Sequence, residues 1–176
     1  MDFYIVRHGR VASNDLKIYN GCRVDEDLNE VGVEQAKQTR DNLRDTPLDV
    51  IVSSTMTRAR HTAAIINEGR DLPIVCDARL VERDMGDLTG QPWGGTAGLT
   101  AEQLERLHIE PIPALYARVC AALDELRETY AGKRVLIVSH GGASKAICAY
   151  FEGMPEDGSL SKFKLLDNCE VRHYSI

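Results

Sequence analysis

The sequence has no excess of positive charge: 21 Lys and Arg stand against 27 Asp and Glu, for a net charge of −6. That balance argues against a nucleic-acid or membrane binder held by bulk electrostatics. No apolar run approaches the length of a membrane span. No cationic, apolar leader is expected either, because Asp2 precedes a short strand. Cysteine is sparse: Cys22, Cys76, Cys120, Cys148 and Cys169 are odd in number and widely spaced. They form neither a disulfide framework nor a zinc motif, which points to a reducing cytoplasm. There is no Walker glycine loop, no long repeat and no linker. What is present is 176 residues, 43% hydrophobic and 27% charged, enough for one domain with a sizeable core.

Strand and helix signals alternate along the chain. Strands are expected at Phe3 to Val6, Leu48 to Ser53, Pro73 to Cys76 and Arg134 to Val138. Helices are expected from Asn29, a good N-cap, to about Arg44, and from Thr55 to about Glu68. Further helices read at Thr100 to Leu107, Pro111 to Tyr130 and Ala143 to Phe151. Leu28 and Val33 form a candidate hydrophobic staple. The end of the chain, Ser161 to Leu166 and Glu170 to Tyr174, alternates like a hairpin turning at Asp167-Asn168. Strands separated by helices imply an α/β protein: a three-layer α/β/α sandwich around a mostly parallel, mixed sheet with an antiparallel edge.

Two of the apolar strands end in the same way. Tyr4-Ile5-Val6 runs into Arg7-His8-Gly9, and Val135 to Val138 runs into Ser139-His140-Gly141-Gly142. In such sheets ligands bind beyond the carboxyl ends of the strands. Arg58, in the first turn of the helix after the second strand, reaches the same edge, and Glu82 brings a carboxyl group. Singly, each residue has an ordinary explanation as a cap, a turn or a surface charge. Together they form a set suited to phosphoryl transfer. Two guanidinium groups grip a phosphoryl group through paired hydrogen bonds. A neutral imidazole attacks phosphorus, and neighbouring cations keep it unprotonated. A second histidine donates to the oxygens as charge shifts, and the carboxyl group protonates the departing oxygen. Cations beside the histidines, and the absence of i,i+4 histidine spacing on a helix, argue against a metal site.

These elements, in this order and over essentially the whole chain, resemble the histidine phosphatase superfamily, the phosphoglycerate-mutase-like proteins. The resemblance implies one domain over residues 1–176 with a small lid at about 87–110. It implies His8 as phosphohistidine nucleophile, with Arg7, Arg58, His140 and Glu82 as the other catalytic groups. Asn14 falls where the family keeps a phosphate-contacting Asn, Gly21 where it keeps a substrate-loop Gly, and Gly141 within the second histidine motif. The segment Leu28 to Ala36 resembles the start of the family's first helix. Arg10 and Val11 depart from the family's usual residues after Arg-His-Gly; Arg10 is a candidate for meeting a second anionic group on the substrate, or else a solvent-facing arginine.

The activity so implied is hydrolysis of a small phosphorylated metabolite, releasing inorganic phosphate. No cofactor, metal, nucleic acid or membrane is expected to take part. Mutase-type transfer and a non-catalytic phosphoanion sensor are the alternatives. The modest lid, with Trp93 its one large aromatic, favours water as acceptor. Trp93 either lines the substrate's leaving-group side or packs against the core, and packing is the expectation. His61 sits beside the arginines, whereas His108 and His173 read as surface or edge residues. Neither the organic part of the substrate nor the oligomeric state is legible.

Overall fold

The computed structural model describes residues 1–94, 96 and 98–176. Strand β1 (Asp2–Arg7) is followed by a short helix α1 (Ala12–Leu16) and then by α2 (Glu30–Asn42). Next come β2 (Val50–Ser54), α3 (Thr57–Asn67) and β3 (Ile74–Asp77). A long connection carries 3-10 turns at Ala78–Leu80 and Gly86–Leu88 and the helix α4 (Ala101–Arg106). The chain closes with α5 (Ile112–Thr129), β4 (Arg134–Ser139), α6 (Gly141–Glu152) and β5 (Val171–Ser175).

The strands form one sheet in the order β3-β2-β4-β1-β5. β4 runs parallel to both β1 and β2, and only β5 is antiparallel, to β1. The mixed α/β sheet expected from the sequence is therefore present, with helices on both faces. Alternation along the strands divides the core. Phe3, Ile5, Val135 and Ile137 face α5 and α6, where Leu115, Val119, Leu123 and Ile147 meet them. Val6, Ile51, Leu136 and Val138 face the other way, onto Ala59, Ala63 and Ile66 of α3. Central strands covered on both sides need continuous apolar runs, which is why β2 and β4 lack polar alternation.

The N-cap of α2 is Asn29, whose side chain accepts from the Gly32 N–H at 2.9 Å. Leu28 and Val33 pack together against Ala36, Ile65 and Cys169.

The C-terminal hairpin is not formed. Residues 161–166 make no strand, and β5 pairs with β1 instead. Leu160, Phe163 and Leu166 are buried while Leu165 is exposed. Their spacing of three carries the segment across the core as irregular chain, and the alternation of Lys162, Phe163, Lys164 and Leu165 concealed it. Trp93 is also misplaced by the sequence reading. It is 45% exposed, and its indole N–H donates to the Ile18 carbonyl at 2.8 Å. Of the expected lid at 87–110, Gly95 and Ala97 lie outside the described residues.

Candidate active site

The parallel pairing of β1 with β4 sets Arg7 opposite Ser139, and the His8 N–H donates to the Ser139 carbonyl at 2.9 Å. His8 and His140 thus leave adjacent strands side by side, with ring centroids 5.1 Å apart. Both rings are buried, His8 at 4% exposure and His140 at 0%.

Among the described residues, one hydrogen bond orients each ring. His8 Nδ1 lies 2.7 Å from the carbonyl of Gly9. A carbonyl only accepts, so Nδ1 carries the proton and Nε2 keeps its lone pair. His140 Nε2 lies 2.8 Å from Ser54 Oγ. That oxygen also accepts from the Met56 N–H at 3.3 Å, and the hydroxyl can turn its own proton toward Nε2. With Ser54 donating, the His140 proton sits on Nδ1, a buried atom with no partner among the described residues. Burial pulls the His8 pKa well below the ordinary histidine value, and the charges of Arg58 and Arg7 add to the effect; the bond to Gly9 opposes them. His140 is pulled down likewise, by burial first and then by His8 and the arginines.

The two guanidinium groups are held by carbonyl oxygens. Arg58, 2% exposed at the start of α3, donates from Nη1 to Val24 at 2.9 Å and from Nη2 to Gly21 at 3.0 Å. Arg7 Nη1 donates to Leu166 at 2.7 Å, and its buried Nε has no partner among the described residues. Burial lowers the pKa of both, against the attraction of Glu82. Carbonyl groups orient a guanidinium without cancelling its charge, so these cations remain available to an anion. Gly21 supplies its carbonyl from a left-handed turn with φ of +54°, where a Cβ would meet the Arg83 carbonyl oxygen at 2.9 Å.

Glu82 closes the set. Its carboxylate accepts from the N–H groups of Gly142 at 3.0 Å and Ala143 at 3.1 Å, the first turn of α6. The anion at that helix end is thus the protein's own side chain. Gly142 permits the approach: a Cβ there would stand 2.7 Å from Glu82 Oε1. Gly141 leaves room for Leu165, whose Cδ1 a Cβ would meet at 2.7 Å, with Arg7 Cζ at 3.6 Å. Behind His8, the Gly9 N–H donates to Thr62 Oγ1 at 3.0 Å, and that hydroxyl donates to the Arg58 carbonyl at 2.7 Å. One threonine therefore ties the segment after β1 to the start of α3.

The structure brings Arg7, His8, Arg58, Glu82, His140 and Gly141 to one end of the sheet. Asn14 stands on α1, its Oδ1 accepting the Val11 N–H at 3.2 Å. Arg10 is exposed and pairs with Asp15 at 3.4 Å. The remaining histidines form exposed pairs with acids: His61 with Asp27, His108 with Asp87 and His173 with Asp2. Sequence reasoning placed Ser54 and Thr62 in the segment around Arg58 but gave them no task of their own, and it missed the Leu166 carbonyl. Their positions depend on how distant segments pack; only the tandem Ser53-Ser54 at a strand end hinted at a polar task.

The sequence profile of the histidine phosphatase superfamily (branch 1) matches residues 3–176. Over 165 residues the chain is 34% identical to PhoE, an uncharacterized phosphatase of Bacillus subtilis (strain 168), covering 94% of this chain and 83% of that protein. It is 32% identical over 170 residues to GpmB of Yersinia pestis (strain Pestoides F), named a probable phosphoglycerate mutase, covering 88% and 76%. The solved structure of the alpha-ribazole phosphatase from Shigella flexneri superposes with a TM-score of 0.84 at 27% identity, covering 100% of this chain and 91% of that one. Bacillus stearothermophilus YhfR superposes at 0.83 and 26% identity, covering 99% and 91%.

Proposed function

The chain belongs to the histidine phosphatase superfamily, branch 1, and from that membership we propose that it hydrolyses phosphomonoesters of small metabolites through a phosphohistidine on His8. The observation that carries this reading is the state of His8. It is a buried imidazole with Nδ1 engaged by its own chain, Nε2 without a hydrogen-bond partner among the described residues, and two charged guanidinium groups beside it.

The reaction runs as two displacements. Nε2 of His8 attacks phosphorus, the ester P–O bond breaks, and the departing oxygen takes a proton from Glu82. Water then attacks the phosphohistidine, its proton passes to Glu82, the P–N bond breaks, and inorganic phosphate leaves. Arg7 and Arg58 hold the phosphoryl oxygens; each such contact is worth about 4 kcal/mol at an intermediate dielectric. His140 donates from Nδ1, the end that Ser54 leaves free. Asn14 assists, and the Gly21 carbonyl aims Arg58. The positive charge for the transition state comes from side chains, so no metal is required in this scheme.

The relative named as a phosphoglycerate mutase favours a second reading, transfer to another hydroxyl. One assay separates the two. A panel of phosphomonoesters, including 3-phosphoglycerate with and without 2,3-bisphosphoglycerate, is incubated with EDTA. Hydrolysis predicts inorganic phosphate from several esters, unaffected by EDTA and lost in His8→Ala. Formation of 2-phosphoglycerate without phosphate release would assign the mutase reading. Phosphate binding with no turnover of any ester would leave a sensor.

A further inference from the structure

The stretch from Leu166 to Cys169 runs along the end of β1 and grips the Arg7-His8 dipeptide. The Leu166 carbonyl takes the Arg7 guanidinium, and the Cys169 N–H donates to the Arg7 carbonyl at 2.9 Å. Between them, Asn168 Nδ2 donates to the His8 carbonyl at 2.9 Å. The sequence reads Asn168 as a turn residue only. Its turn is closed from both sides: Glu170 N–H donates to the Asp167 carbonyl at 3.0 Å, and Asp167 N–H to Glu170 Oε2 at 2.7 Å.

Asn168 has a second contact. The same Nδ2 lies 3.2 Å from Asn14 Oδ1, which also accepts the Val11 N–H at 3.2 Å. An amide oxygen has two lone pairs, and here each faces a donor. Turning the Asn14 amide over would set its NH₂ against two other N–H groups. Both hydrogen bonds would be lost, and donors would face donors. Only one end of Asn14 is therefore left for an anion, the end with two N–H groups. Val11 alone leaves this choice weakly determined, because a single bond at the edge of a five-residue helix is easily exchanged for water.

We propose that Asn168 is a positioning residue that fixes the polarity of Asn14, so that a pair of donors and not an oxygen meets the phosphoryl group. The proposal rests on the reading above only in taking a phosphoryl group as the anion that Asn14 meets. An acceptor in that place would repel the anion, so the orientation decides the sign of the contact.

The test is a double-mutant cycle with inorganic phosphate as probe, its Kd measured by calorimetry for wild type, Asn14→Ala, Asn168→Ala and the double variant. Each single change is expected to weaken phosphate about ten-fold, the scale of one charge-assisted hydrogen bond. The double variant is expected to bind no more than about two-fold weaker than Asn14→Ala, because the two residues act through one contact. Asn168→Asp, the same size, is expected to be weaker than Asn168→Ala, since its carboxylate faces Asn14 Oδ1 and the His8 carbonyl. A merely structural role would weaken phosphate equally with and without Asn14, and that result overturns the proposal, as does an unchanged Kd in Asn168→Ala. Unaltered affinity in Asn14→Ala overturns it too, while leaving the chemistry of His8 to its own test. Should the variants fail to fold, the wild-type side-chain amide NMR signals of Asn14 decide. Both protons must shift when phosphate is added; unmoved signals overturn the inference.

Discussion

At the scale of single residues, the site depends on what small residues leave open. Gly142 is a case: a methyl group there would press on Glu82 Oε1. Gly142→Ala is expected to push the acid away from the departing oxygen while leaving His8 untouched. For esters with poor, alkyl leaving groups kcat should fall about 10- to 100-fold, within the range of lost general acid catalysis. Activated aryl esters, which leave without a proton, should lose little. A series of leaving groups of different basicity, assayed on one preparation, reads this directly; an equal loss on all would contradict the role given to Glu82. That His8, His140, Arg7, Arg58 and Glu82 meet at one end of the sheet was legible because each stands in a short local pattern near a strand or helix end. The tasks of Ser54, Thr62 and Asn168 were not, because each acts on a residue far from it in sequence: Asn168 lies 160 positions from the His8 carbonyl it holds.

Among the elements, those with a clear period were legible and those set by tertiary contact were not. The helix after Asn29 was predicted from its cap and its apolar face, and Ala36, Thr39 and Leu43 are indeed buried. Helix α1 escaped notice because five residues cannot signal a helix by period, and such a piece does not form alone. Residues 161–166 misled because alternation in composition is not alternation in burial. The junction of α2 with the loop after His8 gives a test of packing against propensity. Alanine in a helix interior is ordinarily better than glycine by about 1 kcal/mol. At Gly32, however, a Cβ would stand 2.1 Å from the Arg10 carbonyl oxygen, and at Gly9 one would stand 2.5 Å from that of Gly32. Gly32→Ala is therefore expected to destabilise the protein by about 2 kcal/mol or more, as overpacking does. Urea denaturation measures it, and a rise in the unfolding midpoint would show that the two segments separate freely.

For the molecule as a whole, a net charge of −6 coexists with a buried cationic site. Composition reports only the average charge, whereas the local pattern at the strand ends gathers two arginines beside the histidines. The same site makes stability depend on pH. His8 and His140 both have folded pKa values held well below 6.5. Below about pH 6.5 the unfolded chain therefore binds two protons that the folded protein refuses. The contribution of these rings is complete above that pH and is lost as pH falls, by about 1.4 kcal/mol per pH unit for each ring. Chemical denaturation between pH 7.5 and 5.0 should show stability falling on the acid side, with a shallower slope in His140→Gln. Equal slopes in the two proteins would mean that the ring is free to charge inside the fold.

The most direct measurement concerns the bond that His8 forms. Enzyme mixed with a phosphomonoester and unfolded at once in alkaline denaturant can be examined by ³¹P NMR, and by mass spectrometry of its peptides. A neutral His8 with Nδ1 committed to Gly9 predicts a phosphohistidine substituted at Nε2, in the peptide containing residue 8 and absent from His8→Ala. A phosphoryl group on Nδ1 or on another residue, or normal turnover by His8→Ala, would contradict the account.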